Sequence, residues 1–116
     1  MNSKEIALFA TKVLDKKKAQ NIVCIDISAK SSFADYFVLA SGNSERQIKS
    51  LSEDVDDELA KEQIFAKNIE GLSSSGWILM DYGDVIINVL TTEMRERYNI
   101  EKVWGDCEFL ELELED

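Results

Sequence analysis

One segment constrains the fold more than any other: an apolar run that leads within a few residues into the start of a helix. Residues 35–41 form a largely apolar stretch typical of a buried strand, and Gly42 closes it. Ser44 and Gln47 follow with capping-box spacing, in which Ser44 accepts from the amide three residues on and Gln47 reaches back. The helix that begins there is amphipathic to about Glu62, so the sequence predicts a helix packed against a sheet.

The rest of the chain shows periodicities that fit the same layered arrangement. Residues 3–18 carry apolar side chains at helical spacing, and Asn2 with Glu5 can form the capping box of that helix. A short helix is predicted at residues 93–98, capped by Thr92. Strands are predicted at residues 22–27, 35–41, 64–69, 76–81 and 84–90, with Tyr82-Gly83 joining the last two. The order α-β-β-α-β-β-β-α predicts an α/β (α+β) fold, with a single mixed five-stranded sheet flanked by helices.

The C-terminal end is acidic and differs in composition from the rest of the chain. From Asp106 to Asp116 there are six acids and no base. Leucines alternate with glutamates over residues 110–115, which is the period of a strand rather than of a helix. Residues 1–106 are therefore predicted to form the domain. Residues 107–116 form either an acidic C-terminal tail in solvent, which the charge favours, or an added edge strand.

The net charge bears on the class of partner. The chain has 116 residues, which fits one domain, and 23 acids against 13 bases give it a formal charge of −10. A chain this acidic is repelled by phosphate backbones and gains no counterion release on binding them. The composition therefore predicts no direct DNA binding and favours a basic protein as the partner.

The compartment is predicted from the N-terminal sequence and the cysteines. Residues 1–5 lead into a mixed-charge helix without an apolar signal core, and no apolar run approaches the ~20 residues that span a bilayer. Cys24 and Cys107 match no metal or redox spacing, and Cys24 is predicted to be a buried free thiol. The sequence thus predicts a cytoplasmic protein without membrane contact.

The residues present in the chain give little support for catalysis. The chain has no histidine, and its five glycines form no phosphate-binding motif. A serine nucleophile would need another base, and no suitable spacing is present. Asp54 and Asp56 point about 200° apart on their helix and cannot share one ion. Asp54 could do so with Asp57 or Glu58, but a solvated helix face is favoured. The sequence predicts no enzyme, no cofactor and no metal.

Five ordered segments of the chain resemble the ribosomal silencing factors, the RsfS or Iojap family. The resemblance covers residues 5–106 approximately, and its specificity comes from the order and spacing of the segments rather than from any single one. The segments are Asp26-Ile27-Ser28; residues 34–44 with Arg46-Gln47; Glu70-Gly71; residues 77–85; and Glu93-x-Arg95-x-x-Tyr98-x-Ile100-Glu101-x-x-Trp104.

The resemblance implies both a fold and a function. Such proteins have a mixed sheet related to the nucleotidyltransferase fold but without its activity, and they form homodimers when free. They bind ribosomal protein L-fourteen of the large subunit and sterically block association with the small subunit, which lowers translation under nutrient limitation. Related organelle proteins are linked to assembly of the large subunit, which is an alternative function here.

Three departures from the family pattern stand out. Asn88 occupies a position where the family usually has histidine, so an acid–base role there would be lost. A glycine common near the end of the second helix is missing around Glu62-Gln63. The acidic segment beyond Asp106 has no counterpart in the family pattern.

The matched segments supply the candidate binding residues. Tryptophan and tyrosine are enriched at binding hot spots, although Trp77 equally fits a core position and packing of the last helix is favoured for Tyr98. The carboxylates suit a basic partner, and Arg95 either pairs with one of them or reaches the partner itself. The predicted partner-binding residues are Trp77, Asp81, Asp84, Glu93, Arg95, Tyr98 and Glu101.

A nucleotide-binding or nucleotidyltransferase-like enzyme is the other functional class. Ser41-Gly42-Asn43-Ser44 opens a helix, as the phosphate-binding segment of such enzymes does. Those enzymes also need a carboxylate pair on a strand for two metal ions, and no Asp-x-Asp occurs on a neighbouring predicted strand.

Overall fold

The helices lie where the apolar stripes predict them. In the computed structural model, which describes residues 1–71 and 73–115, Asn2 and Glu5 form the full capping box of the first helix, with N···O distances of 2.8 and 2.9 Å. Ser44 accepts from the amide of Gln47 as predicted, but Gln47 reaches one residue further back and accepts from the amide of Asn43. The helices are α1 (Ser3–Lys16), α2 (Glu45–Lys61) and α3 (Thr92–Tyr98), with 3₁₀ segments at Ser73–Ser75 and Ile100–Trp104.

The prediction of five strands is wrong, because the described residues form a six-stranded sheet. Its strands are β1 (Gln20–Asp26), β2 (Tyr36–Gly42), β3 (Asn68–Glu70), β4 (Trp77–Asp81), β5 (Val85–Thr91) and β6 (Glu108–Phe109). They lie in the order β3-β4-β5-β2-β1-β6. β2 and β5 pair in parallel and all other neighbours pair antiparallel, so the sheet is mixed as predicted.

The third strand begins later than its apolar residues suggest. Ile64 and Ala66 are partly buried and pack against the core from irregular backbone rather than from a strand. The first bond to β4 is donated by the amide of Lys67 to the carbonyl of Asp81, at 2.7 Å. Burial therefore explains the apolar residues Ile64 and Ala66, whereas Phe65 between them is exposed, and the strand itself is confined to Asn68–Glu70.

The acidic C-terminal segment lies on the protein instead of extending into solvent. Glu108 and Phe109 pair with the edge of β1, and the amide of Leu110 donates to the carbonyl of Cys24 at 2.8 Å. Leu112 packs against the core, and the amide of Glu115 donates to the buried carboxylate of Asp15 at 2.8 Å. Glu108 and Phe109 thus form an edge strand, which was one of the two predicted forms, and Leu110, Leu112 and Leu114 after it are partly buried. Asp116 lies outside the described residues.

Helices cover the two faces of the sheet unequally. α1 and α2 pack on one face over the larger core cluster, which includes Ile87 and Val89 of β5. Ile86 and Leu90 point to the other face, because successive residues of a strand alternate. On that face the cover comes from α3 and the 3₁₀ segment Ile100–Trp104, which are short. Part of β4 on the second face is therefore left accessible.

Deleting residues 110–116 is expected to lower the free energy of unfolding by about 1–3 kcal/mol, because Leu110 and Leu112 lose their partly buried contacts. Urea denaturation of the full and truncated chains measures the difference. Replacing Glu111 and Glu113 together with glutamine is the matched control, since both are exposed and the change leaves the leucines in place. Equal stability of the full and truncated chains would show that the packed segment contributes nothing.

Candidate protein-docking site

Alternate residues of β4 form the base of the candidate site. Ile78 and Met80 are buried against α2 and the larger core cluster. Trp77, Leu79 and Asp81 point to the other face and are each only partly buried. The strand therefore presents an aromatic ring, an aliphatic side chain and a carboxylate in a row on the thinly covered face.

Tyr98 at the end of α3 packs against Trp77. The two ring centroids are 5.8 Å apart with planes tilted by 44°, a favourable geometry for an aromatic pair. Tyr98 remains 53% exposed, and Met94 on the preceding turn of α3 packs against the same cluster as Trp77. Trp77 is thus neither a fully buried core residue nor a free surface residue, but half of a partly exposed aromatic pair.

A buried amide lies beneath the indole. The Nε1–H of Trp77 donates to Oδ1 of Asn88 at 2.9 Å, and Asn88 is fully buried. In the sheet register Asn88 lies between Leu39 of β2 and Leu79 of β4. Its Nδ2 has no hydrogen-bond partner among the described residues. The indole of Trp77 is thus hydrogen-bonded to the one polar side chain in an otherwise apolar row of this part of the sheet.

A buried guanidinium lies on the same helix as Tyr98, one turn earlier. Arg95 is 7% exposed, and its Nε and Nη2 donate to the two carboxylate oxygens of Glu101 at 2.9 and 3.1 Å. Its Nη1 donates to Oγ of Ser41 at 2.8 Å. Hydrogen bonding from Arg95 is the main cause that lowers the pKa of Glu101. Of the two roles predicted for Arg95, the structure shows the pairing with a carboxylate.

The chain turns sharply between Tyr98 and Glu101. Asn99 adopts a left-handed conformation with φ of 41°, which asparagine tolerates better than most residues, and its amide donates to the carbonyl of Arg95 at 3.1 Å. This turn directs Glu101 back towards Arg95 and leaves Tyr98 against Trp77. The ion pair therefore closes the turn that follows α3.

The structure separates the remaining predicted residues from this cluster. Asp81 ends β4, roughly 13 Å along the strand from Trp77 at ~3.3 Å per residue. Its carboxylate accepts from the amide of Gly83, which has a φ of +90°, so it stabilises the hairpin turn. Asp84 is exposed beyond that turn, and Glu93 is exposed at the start of α3.

Three further residues belong to the candidate site and were missed from the sequence: Met94, already described on α3, Leu79 and Glu70. Leu79 follows Trp77 by two positions and shares its face, which strand periodicity alone could have indicated. Glu70 of β3 lies opposite Leu79, and only the strand register reveals this pairing. We call the combined area the Trp77–Tyr98 surface, defined by Trp77, Leu79, Met94 and Tyr98 with Glu70 and Asp81 at its rim.

Other polar groups serve local structure. The carboxylate of Glu58 pairs with Lys61 at 2.6 Å, and Asp56 accepts from the hydroxyl of Tyr82 at 2.8 Å. Burial and that hydrogen bond raise the pKa of Tyr82. Cys24 is buried with a free thiol, as predicted, and burial raises its pKa to about 12. Within residues 1–71 and 73–115, no group of three or more Asp, Glu, His or Cys side chains is arranged to hold a metal ion.

Among these same residues, none of the helices has the length and apolar character needed to cross a membrane.

A family model, curated relatives and solved structures all match this chain. The family model described as "Ribosomal silencing factor during starvation" matches residues 1–116. The ribosomal silencing factor RsfS of Bacillus subtilis is 35% identical over 113 residues, which cover 97% of this chain and 96% of the relative. The RsfS of Zymomonas mobilis is 40% identical over 95 residues, covering 82% and 71%. A crystal structure of a protein from Chromobacterium violaceum has a TM-score of 0.87 at 33% identity, covering 90% of this chain and 88% of that one. The similarity extends over nearly the whole chain.

Proposed function

The chain belongs to the family of ribosomal silencing factors, which regulate translation, and we propose that it acts by binding the large ribosomal subunit through protein L-fourteen. Docking there would sterically block the small subunit and so lower translation under nutrient limitation. The place of action would be the cytoplasm, and the free protein would be a homodimer. This mechanism needs a docking surface and no chemical step.

The observation that carries the proposal is the partly exposed aromatic pair of Trp77 and Tyr98. Binding hot spots are enriched in tryptophan and tyrosine, because these side chains bury a large area and lose few rotamers. Leu79 and Met94 extend the apolar centre of the surface. The Trp77 ring packs against Tyr98 and donates a hydrogen bond to Asn88, so a partner meets rings that are already positioned.

The rim of the surface suits a basic partner. Glu70 and Asp81 flank Leu79 on the same face of the sheet, and the whole chain carries a net charge of −10. An apolar centre with a polar rim is the usual anatomy of a protein interface. Charges at the rim mainly speed the encounter and set the register, whereas the aromatic centre supplies most of the affinity.

Raising the salt concentration is expected to slow association with purified L-fourteen several-fold, since screening shortens the Debye length from about 10 Å at 0.1 M to 3 Å at 1 M. Stopped-flow mixing measures the association rate. The matched variant combines Glu70→Gln with Asp81→Asn, which removes rim charge while the asparagine keeps an acceptor for the Gly83 amide. Its association rate should respond less to salt. An association rate that does not change with salt would contradict the rim assignment.

A nucleotidyltransferase-like activity is the competing proposal, and calorimetry discriminates between the two. With nucleoside triphosphate and Mg²⁺, the protein is expected to show no binding heat, whereas it should sediment with large subunits. Magnesium-dependent nucleotide binding without sedimentation on large subunits would favour the enzyme.

A further inference from the structure

We propose that Asn88 is a positioning residue, which holds the Trp77 indole in the orientation that the partner binds. This proposal rests on the proposed function, because its main test measures binding to the large subunit. Asn88 lies beneath the Trp77–Tyr98 surface and does not itself touch a partner.

Stability of the fold does not explain why an asparagine lies at position 88. The nearest side chains on the same face of β5 are Ile86 and Leu90. Leu39 of β2 and Leu79 of β4 lie opposite Asn88 on the two neighbouring strands. A buried amide in an apolar row costs free energy unless its polar atoms are paired. Only Oδ1 is paired here, with Trp77, and Nδ2 has no partner among the residues described. An unpaired buried donor loses the hydrogen bonds that it would make with water, and nothing in the protein replaces them.

The hydrogen bond between Asn88 and Trp77 instead explains how the indole is oriented. Trp77 is partly exposed, so packing against Tyr98 and the second core cluster covers only part of the ring. The indole nitrogen is a donor only, and Asn88 presents the acceptor that its orientation requires. A ring fixed before binding loses less conformational entropy when the partner docks. Natural proteins commonly retain groups that reduce stability where function needs them.

The test compares Asn88→Leu with Asn88→His. Leucine has a similar size and removes both the acceptor and the unpaired donor, so the melting temperature should stay equal or rise. Binding to purified large subunits should nevertheless weaken at least threefold. At pH 8 a neutral imidazole offers one acceptor nitrogen, so Asn88→His should restore binding to within twofold of the original protein.

A second readout follows the indole directly. In a ¹H–¹⁵N correlation spectrum the Trp77 Nε1–H peak, assigned with Trp77→Phe, should shift in Asn88→Leu and exchange faster with solvent. Asn88→His should recover most of the protection. Ser52→Ala is the matched control, because Ser52 is also buried and hydrogen-bonded but lies on α2 beyond the opposite face. It should change neither binding nor the indole peak.

Two results would overturn the positioning role. One is an Asn88→Leu variant that binds as tightly as the original protein with an unchanged indole peak. The other is a loss of binding that follows a loss of stability and is not restored by histidine. If the original protein does not bind large subunits at all, the proposed function fails, while the indole exchange rate still decides whether Asn88 fixes Trp77.

Discussion

Replacing Trp77 with alanine is expected to weaken binding to the large subunit by about 30-fold or more, the effect of losing a hot spot worth ~2 kcal/mol. The change removes the ring that packs against Tyr98 and leaves the apolar centre of the surface without its largest member. The fold should survive, because Trp77 is only half-buried on the thinly covered face of the sheet. Sedimentation titrations with purified large subunits measure the affinity, and circular dichroism checks the fold.

Phe65→Ala is the matched control for the loss of an aromatic side chain. Phe65 is 64% exposed between α2 and β3, and it belongs to neither core cluster. Its removal should leave the affinity for large subunits within twofold of the original. Similar losses for Trp77→Ala and Phe65→Ala would contradict the location of the site. Unfolding of Trp77→Ala would show instead that the ring serves the core.

Replacing Glu101 with leucine is expected to lower the free energy of unfolding by about 2 kcal/mol or more, which is more than Arg95→Met should cost. Without Glu101, the guanidinium of Arg95, which is 7% exposed, keeps among the described residues only its hydrogen bond to the hydroxyl of Ser41. Removing Arg95 instead frees a carboxylate whose side chain is 32% exposed and can be solvated by water. Urea denaturation of both variants measures the order, and a larger loss for Arg95→Met would contradict it.

The same ion pair predicts a dependence on pH. Arg95 lowers the pKa of Glu101 in the folded protein below its value in the unfolded chain, which is about 4.3. The contribution of this carboxylate is therefore fully present above that value and is lost as the pH falls through the folded pKa. The stability difference between the original protein and Glu101→Gln should persist at pH 7 and shrink below about pH 4. A difference that stays constant down to pH 2 would contradict the pairing.

Local patterns accounted for much of the fold. The capping box at Asn2, the side-chain cap at Ser44 and the apolar run of β2 involve residues a few positions apart, so their geometry follows from neighbouring residues. Sheet pairing is different, because it joins distant segments. β6 pairs with β1 over two residues only, and the alternating leucines after it fit either a strand or a packed extended segment.

The sequence indicated several residues of the candidate site, but it did not indicate which contacts each of them makes. The structure pairs Trp77 with Tyr98 and Arg95 with Glu101, but the sequence did not indicate which of these residues face solvent. The bond from Arg95 to Ser41 joins residues 54 positions apart, so no local pattern contains it. Asn88 stood out only as a departure from a family pattern, and its contact with the indole depends on the register of β4 and β5.

The most direct test of the central claim is the joining of purified ribosomal subunits, followed by light scattering as the protein is added. The proposal predicts a dose-dependent loss of joined ribosomes, with the protein sedimenting on the large subunit, and a much weaker effect of Trp77→Ala. Unchanged joining at concentrations that saturate the large subunit would contradict steric blocking. It would point instead to a role in assembly of the large subunit.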